Sequence, residues 1–330
     1  MRLSKFEYLE PQSIDEACSM LAAHAGEAQV LSGGTDLMVL MKQRVATPGY
    51  LVNLKSIPGL SYIASDADFG LRIGPLTTLR SVSRSPLVKE KFPILAEAAG
   101  RVASPLIRNS ATIGGNIGLD SKCWYYNQSA QWRKTFDPCL KRGGNVCYVV
   151  EGGKRCFSVF CADTAPALIV LNAEIDLVSG RGKRTLALEK FYTGKGEKVN
   201  ELAPDEVISE IRIPNPTAGT GTAFLKLATR GSIDYALVDV AVRLTREPKN
   251  GHCGEAKICV AATGPGPVLA KEAAQALKGQ ELGDDVLTTA GEAAVKETRY
   301  ISSVWTSVAY RRKMIKALVK KAVREAWNKA

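Results

Sequence analysis

Apolar residues in the first fifty positions recur with the periods of a helix, a strand and a second helix. Residues 13–16 (SIDE) resemble a helix-capping box, because a serine is followed three residues later by a glutamate. The apolar residues after the box have the spacing of one helix face, namely Ile14, Ala17, Cys18 and Leu21. Residues 28–31 (AQVL) predict a short strand that runs into the glycine turn 32–36 (SGGTD) and a second helix-like segment. We therefore expect a strand between two helices, with Cys18 in the core.

The middle of the chain mixes short strands with helices. Strand-like apolar runs occupy residues 50–54, 71–74 and 204–216. Residues 93–104 predict a helix that ends near Gly100, and residues 165–171 suit either a helix or a buried strand. Residues 174–188 resemble a hairpin with two glycines in its turn. Prolines at 214 and 216 end the last strand, which predicts a domain boundary there.

The last third predicts three strands and a long amphipathic helix. The strand-like runs are residues 223–230, 239–247 and 256–264. Cys259 lies inside the third run and Cys253 in the predicted turn before it, so both are expected to be structural. Residues 310–329 place one apolar face opposite Arg and Lys, formed by Ile315, Leu318, Val319, Ala322 and Ala326. We expect this helix to pack on the sheet.

Composition narrows the function classes. A chain of 330 residues is long enough for two or three domains. The 44 Lys and Arg against 33 Asp and Glu give a net charge of +11, which favours acidic partners. No zinc-finger, helix-turn-helix or RNP pattern accompanies the charge, so we expect no nucleic-acid binding. The sequence has neither a signal-peptide pattern nor an apolar run long enough to span a bilayer, so we expect a cytoplasmic protein without membrane contact.

Two glycine turns are candidate anion-binding sites. Residues 32–36 (SGGTD) and 112–116 (TIGGN) each stand beside an apolar segment. Glycine has no Cβ, so a ligand can approach the backbone N–H groups closely, and a helix N-terminus adds partial positive charge. Neither turn is a Walker A or GxGxxG sequence. Together they indicate one extended diphosphate ligand held from two sides.

Five of the eight cysteines lie in one segment, which indicates bound metal. Cys123, Cys139, Cys147 and Cys156 are separated by fifteen, seven and eight residues, and Cys161 follows after four more. Single, widely spaced ligands suit a four-iron cubane better than zinc, whose ligands usually come in close pairs. A structural zinc site and disulfide bonds are the alternative explanations of this cysteine segment. The spacing also allows Cys161 to be a ligand in place of Cys156. With only two histidines, His-based catalysis is excluded, so we expect no catalytic side chain and chemistry supplied by a cofactor.

These motifs, in this order, resemble a known family. The chain is similar to the FAD-binding (medium or beta) subunit of the molybdenum hydroxylase (xanthine oxidase) family. The similar segments are LSGGTDL (31–37), ATIGGNI (111–117), the aspartate of CADTAPAL (161–168), IRIP (211–214) and FLKLATR (224–230).

The resemblance implies a fold and a domain plan. It implies an α+β protein with a PCMH-type FAD-binding fold of two α/β subdomains, followed by a C-terminal domain of antiparallel sheet with helices. The expected FAD-binding subdomains are residues 1–55 and 56–216, and the expected C-terminal flavoprotein domain is residues 217–330.

The resemblance also implies which residues contact FAD. Backbone amides suit the diphosphate, and an aspartate can accept hydrogen bonds from ribityl or ribose hydroxyls. The implied positions are Val30, Leu31, Ser32, Gly33, Gly34, Thr35, Asp36, Leu37, Ala103, Thr112, Gly114, Gly115, Asn116, Asp163, Ile208 and Lys226.

One segment departs from the common pattern of this family. About forty residues, at 118–162, are inserted between the second glycine turn and the aspartate. The insertion resembles that of the beta subunits of 4-hydroxybenzoyl-CoA reductases, which holds a [4Fe-4S] cluster. This implies Cys123, Cys139, Cys147 and Cys156 as the ligands. We expect Trp124, Tyr125, Tyr126 and Trp132 either to shield the cluster or to be ordinary packing.

The resemblance finally implies function and partners. It implies an electron-transfer subunit with FAD and a [4Fe-4S] cluster, bound to a large molybdenum-cofactor subunit and a small [2Fe-2S] subunit in a dimer of heterotrimers. Reduced ferredoxin is the implied electron donor and 4-hydroxybenzoyl-CoA the implied substrate; a sister enzyme acting on another aromatic, heterocyclic or steroid-like substrate is the alternative. Basic residues of the insertion are hypothesised to dock the ferredoxin, namely Lys122, Arg133, Lys134, Lys141, Arg142, Lys154 and Arg155.

Overall fold

The computed structural model describes residues 3–67, 69–301 and 306–330. The strands are β1 (Glu7–Leu9), β2 (Ala28–Leu31), β3 (Tyr50–Asn53), β4 (Ile63–Asp66), β5 (Gly70–Ile73), β6 (Glu174–Ser179), β7 (Gly182–Ala187), β8 (Val207–Ile213), β9 (Thr220–Leu227), β10 (Val238–Arg246), β11 (Cys253–Ala261) and β12 (Val268–Leu269). The helices are α1 (Ile14–Ala23), α2 (Leu37–Lys42), α3 (Leu79–Arg84), α4 (Pro86–Lys91), α5 (Pro93–Arg101), α6 (Pro105–Arg108), α7 (Ile113–Ile117), α8 (Ala130–Arg133), α9 (Thr164–Val170), α10 (Leu188–Phe191), α11 (Lys271–Leu277), α12 (Asp284–Glu297) and α13 (Val308–Trp327).

The N-terminal part is a small parallel sheet with helices. Its strands have the order β1-β3-β2, and both pairings are parallel. Helix α1 begins as predicted, because the Ser13 side chain accepts a hydrogen bond from the Glu16 N–H and the Glu16 carboxylate accepts one from the Gln12 N–H. Cys18 is buried in the core, as the sequence predicted. The first glycine turn follows the carboxyl end of β2, where parallel α/β units commonly bind ligands.

The middle part is a five-stranded antiparallel sheet of order β4-β5-β8-β6-β7, covered by helices. The apolar run 165–171 is mainly helix α9, which is buried along its whole length. Strand β8 begins at Val207, three residues later than the sequence predicted, because the preceding residues form a turn. The core of this part includes Phe92, Leu95 and Phe191.

The C-terminal part is an antiparallel sheet of order β12-β11-β10-β9 that is buried on both faces. Alternate residues of β10, such as Val240, pack with Ile315 and Val319 of α13, as predicted. The opposite face, which includes Ala241, joins the core of the middle part and lies against α9. Cys253 is the first residue of β11 and not a turn residue, because the strand extends further back than its apolar pattern indicated.

The insertion 118–162 folds mostly as loops attached to the body of the protein. Within it are α8 and one 3-10 turn, Leu140–Arg142. Arg133 is buried and donates hydrogen bonds to the carbonyls of Gln128 and Arg44, and Lys122 pairs with Asp36 at 2.5 Å. These contacts fix the insertion to the helix that follows the first glycine turn.

No helix in the described residues is long and apolar enough to cross a membrane. The longest, α13, carries charged residues on its outer face, and its apolar face is covered by the C-terminal sheet.

Candidate functional site

A cavity of about 760 Å³ lies between the two glycine turns. Its wall contains most of the residues predicted to contact FAD, namely Val30, Ser32, Gly33, Gly34, Thr35, Asp36, Leu37, Ala103, Thr112, Gly114, Gly115, Asn116, Asp163 and Ile208. Leu31 and Lys226 do not belong to the wall. Leu31 packs beside the turn, and Lys226 contacts Asp163 from behind. The tertiary structure therefore gathers five separate segments around one space.

Glycine is required where the two turns approach each other. A Cβ on Gly33 would lie 2.1 Å from the backbone oxygen of Ser110, and a Cβ on Gly114 would lie 2.8 Å from the oxygen of Pro75. The second turn is joined to the first by a hydrogen bond of 3.3 Å from the Thr112 hydroxyl to Ser32 Oγ. Without side chains at these glycines, two backbone segments form opposite walls of one narrow cradle.

The first turn presents N–H groups toward the cavity. The backbone N–H groups of Gly33, Gly34 and Thr35 donate to no acceptor within residues 3–67, 69–301 and 306–330. N–H groups left without a protein acceptor, at a turn that opens a helix, are suited to bind an anionic group such as a diphosphate. The residues present therefore fit FAD.

A buried charged cluster stands behind the cavity wall. Lys226 Nζ lies 2.5 Å from Asp163 Oδ2 and donates to the carbonyl of Asp234. Asp239 faces Asp163 from β10. Within the described residues, neither Asp163 Oδ1 nor Asp239 Oδ1 accepts a hydrogen bond from an N–H or hydroxyl group. Burial raises the pKa of Asp239 well above its usual value, and the negative Asp163 adds to the shift. Burial also raises the pKa of Asp163, while the neighbouring Lys226 ammonium lowers it, so Lys226 is the positive charge that faces this pair of carboxyl groups.

A second, smaller cavity lies within the insertion. Its wall includes all four predicted ligands, Cys123, Cys139, Cys147 and Cys156. Among the described residues, no group of three or more His, Cys, Asp and Glu side chains is placed so that it could hold a single metal ion. The four sulfurs therefore surround a space without converging on one point.

Cys161 occupies a different place from the four other cysteines of the insertion. It lines the large cavity, and its thiol donates to the carbonyl of Asp120 at 3.7 Å. Burial raises the pKa of the Cys161 thiol to about 12, so it stays protonated. Of the two cysteines that the spacing left as alternatives, the structure places Cys156 with the other three.

Aromatic side chains pack on one side of the small cavity. Tyr125, Trp132, Phe136 and Tyr148 form one group, with the Trp132 and Phe136 ring centroids 4.7 Å apart. Tyr125, Tyr126 and Tyr148 belong to the cavity wall, which agrees with a shielding role. Trp124, which was also predicted to take part either in shielding or in ordinary packing, is 50% exposed.

Several site residues gave no signal in the sequence. Asp239 sits in a strand of alternating apolar residues, and nothing in that pattern indicated that it would face Asp163. Tyr126 was expected only near the cysteines, yet it lines both cavities. Lys141 was expected at the surface, but its side chain is 5% exposed. Only the relative placement of distant segments reveals these roles.

The fold and the cavity define an FAD-binding protein, and comparisons identify its family. Residues 4–216 match the FAD binding domain in molybdopterin dehydrogenase, and residues 223–326 match the CO dehydrogenase flavoprotein C-terminal domain. The chain therefore belongs to the FAD-binding medium subunits of the molybdenum hydroxylase family of oxidoreductases. The predicted α+β fold, an FAD-binding region followed by a C-terminal domain, is confirmed.

Individual relatives support this placement. The carbon monoxide dehydrogenase medium chain of Afipia carboxidovorans is 31% identical over 326 residues, with 98% of each chain covered. The nicotine 6-hydroxylase medium subunit of Paenarthrobacter nicotinovorans is 27% identical over 326 residues, with 99% of each covered. A chain of the carbon monoxide dehydrogenase structure from Hydrogenophaga pseudoflava superposes with a TM-score of 0.82 at 28% identity, and both chains are covered completely.

Proposed function

We propose that this chain carries a [4Fe-4S] cluster in addition to FAD and transfers electrons in a molybdenum-containing reductase. The observation that carries the proposal is the cavity in the insertion, whose wall contains Cys123, Cys139, Cys147 and Cys156. Four thiolates around one protected space are the usual ligand set of such a cluster. The four cysteines are 16, 8 and 9 positions apart in the sequence, and the fold brings all four to the wall of one cavity.

A cluster fits this ligand set better than zinc. A zinc ion brings its sulfurs to roughly 2.3 Å from one centre, and the described residues contain no group placed to hold one ion. A cubane binds one thiolate at each of its four irons, so its ligands stand further apart. The single, widely spaced cysteines of the insertion therefore support the cubane.

Each part of the site has a definable task. When bound, FAD exchanges one or two electrons and a [4Fe-4S] cluster exchanges one, so together they join a one-electron donor to a two-electron reaction. The glycine turns hold the diphosphate, and the N–H groups of Gly33 and Gly34 are its donors. Asp163, which forms an ion pair with Lys226, fixes the adjoining wall. The tyrosines at the small cavity limit access of water to the cysteine sulfurs.

The proposed partners complete an enzyme that this chain alone does not form. They are a large subunit with the molybdenum cofactor, a small subunit with [2Fe-2S] clusters, and reduced ferredoxin as the electron donor, assembled as a dimer of heterotrimers in the cytoplasm. The relatives named as medium chains or medium subunits support a multi-subunit assembly. The reduced thiols that the four-cysteine site requires support the cytoplasmic location. The domain limits 1–55, 56–216 and 217–330 are retained as part of this proposal.

The docking face for ferredoxin is smaller than the sequence indicated. Three basic residues of the insertion, Lys122, Arg133 and Lys141, are engaged in buried or half-buried contacts with the body of the protein. The exposed ones are Lys134, Arg142, Lys154 and Arg155. Exposed positive side chains around the small cavity suit an acidic one-electron carrier, because opposite charges steer the encounter.

We expect the double variant K134Q/K154Q to slow ferredoxin-dependent reduction several-fold at low salt, because surface charges chiefly set the association rate. The difference should vanish at high salt, where screening removes the steering. Stopped-flow measurement gives the rate of reduction by ferredoxin at each salt concentration. K313Q on α13 is the control for loss of an exposed positive charge elsewhere. A double variant that matches the parent at low salt contradicts this docking face.

The substrate proposal is 4-hydroxybenzoyl-CoA. On the large subunit, two electrons and two protons would remove its phenolic hydroxyl as water and leave benzoyl-CoA. The support is the likeness of the cysteine insertion to that of this reductase type. A second candidate is a sister enzyme acting on a nitrogen heterocycle, which the relative named nicotine 6-hydroxylase favours. Turnover of each substrate by the complete complex, with reduced ferredoxin or an oxidant, separates the two.

One anaerobic preparation of the complete complex tests the proposed function. We expect one FAD and about four irons and four acid-labile sulfides per chain beyond those of the small subunit, with a new EPR signal after reduction. Stoichiometric zinc without the extra iron would make the insertion a structural zinc site. FAD with neither metal would remove the electron-entry role.

A further inference from the structure

The two cavities share a wall. Tyr126 lines both the cavity between the glycine turns and the cavity between the four cysteines. Its backbone N–H donates to the carbonyl of Cys123 at 3.2 Å, so the ring is carried by the segment that also carries a proposed cluster ligand. Tyr126 is therefore packed between the two spaces and not merely near one of them.

A buried ammonium group lies beside this ring. Lys141 Nζ is 5.3 Å from the Tyr126 ring centroid, and Lys141 belongs to the wall of the cysteine cavity. Its three N–H groups have three acceptors: Asp120 Oδ1 at 2.6 Å, Ser121 Oγ at 2.7 Å and the Gly196 carbonyl at 2.8 Å. The ammonium group is thereby fixed in orientation.

The contacts of Lys141 continue in both directions. Asp120 belongs to the wall of the large cavity. Ser121 Oγ lies 2.6 Å from Ser158 Oγ, and Ser158 Oγ lies 3.2 Å from Cys156 Sγ. One chain of polar contacts thus leads from the FAD cavity through Lys141 to a proposed cluster ligand. Asp120 is 42% exposed and Lys141 only 5%, so water screens the negative charge more than the positive one.

We propose that Tyr126 and Lys141 form the partition through which the two cofactor sites are coupled. This inference rests on the proposed function, because it requires a cluster in the insertion. Tyr126 places packed atoms between the two sites and gives an electron a route through the protein from one to the other. Lys141 places a poorly screened positive charge at the cluster and stabilises its reduced, more negative form.

The transfer balances as a one-electron step. One electron crosses the partition at a time, the cluster side is oxidised by one electron, and the FAD side is reduced by one. The proposed ferredoxin supplies each electron, and two crossings complete the two-electron reduction with protons taken from solvent. Neither Tyr126 nor Lys141 is consumed; both are positioning residues.

The experiment compares the parent complex with K141M, K154M, Y126F and Y126L. Redox titration followed by EPR should show that K141M lowers the midpoint potential of the cluster by about 59 mV. For a one-electron couple, this shift raises the ratio of oxidised to reduced cluster at a given potential about tenfold. K154M removes an exposed charge of the same insertion and should leave the potential nearly unchanged. Flash photoreduction should show slower electron exchange between cluster and flavin in Y126L, but a rate close to the parent's in Y126F, which keeps the ring.

The possible outcomes separate this inference from the proposed function. A parent complex without the additional iron and sulfide overturns both. The parent complex can contain the cluster while K141M keeps the parent's midpoint potential and Y126L keeps the parent's rate of electron exchange. That result overturns only the partition. If K141M does not fold, K141Q keeps a polar group for Ser121 and Gly196 while removing the charge, and it carries the same expectation.

Discussion

Replacement of any one of Cys123, Cys139, Cys147 and Cys156 by serine should remove the extra iron signal while FAD remains bound. The four cysteines line one cavity in the insertion, and the residues predicted to contact FAD line the separate cavity between the glycine turns. A serine oxygen is a poorer ligand for iron than a thiolate, so loss of one sulfur opens the cluster to water. We expect iron and acid-labile sulfide to fall from about four each per chain to a small residue.

Cys161→Ser is the matched control for this prediction. Cys161 belongs to the same insertion and is as buried as Cys156, but its thiol donates to the carbonyl of Asp120 on the side of the FAD cavity. It should keep the full iron and sulfide content and the EPR signal of the parent. A C161S variant that loses the cluster, or a C156S variant that keeps it, would contradict the ligand assignment at these two positions.

Gly33→Ala should weaken FAD binding by about tenfold to a hundredfold, because overpacking of a fixed site costs roughly 1–3 kcal/mol. The added Cβ would lie 2.1 Å from the backbone oxygen of Ser110, and a backbone group cannot rotate away as a side chain can. The two turns would have to separate, which also moves the N–H groups of Gly33 and Gly34. Titration of the flavin-free complex with FAD, followed by quenching of flavin fluorescence, measures the affinity.

Gly180→Ala serves as the control for a glycine-to-alanine change elsewhere in the FAD-binding region 4–216. Gly180 lies in the turn between β6 and β7, and no atom stands within 4 Å of a Cβ placed there. G180A should bind FAD as tightly as the parent. If G33A does the same and unfolds at the parent's temperature, the close approach of the two turns is not what shapes the FAD site.

The sequence predicted the local elements well where one physical signal dominated. The capping residues located the start of α1, and alternation of apolar residues located β8, β9 and β10. The glycine turns were recognisable because glycine is needed wherever two backbones meet closely. The motifs 31–37 and 111–117 also carried the family resemblance, which the comparisons then confirmed for the family as a whole.

By itself, the sequence determined the family, and it predicted the FAD contacts and the candidate cysteines, since these depend on residue types within short segments. The tertiary structure decided which of the long-range partners meet. It placed Asp239 against Asp163, buried Lys141 that the sequence had assigned to the surface, and made Tyr126 a wall of both cavities. These contacts join residues of different segments, and their energies depend on burial and distance, which no local pattern of the chain encodes.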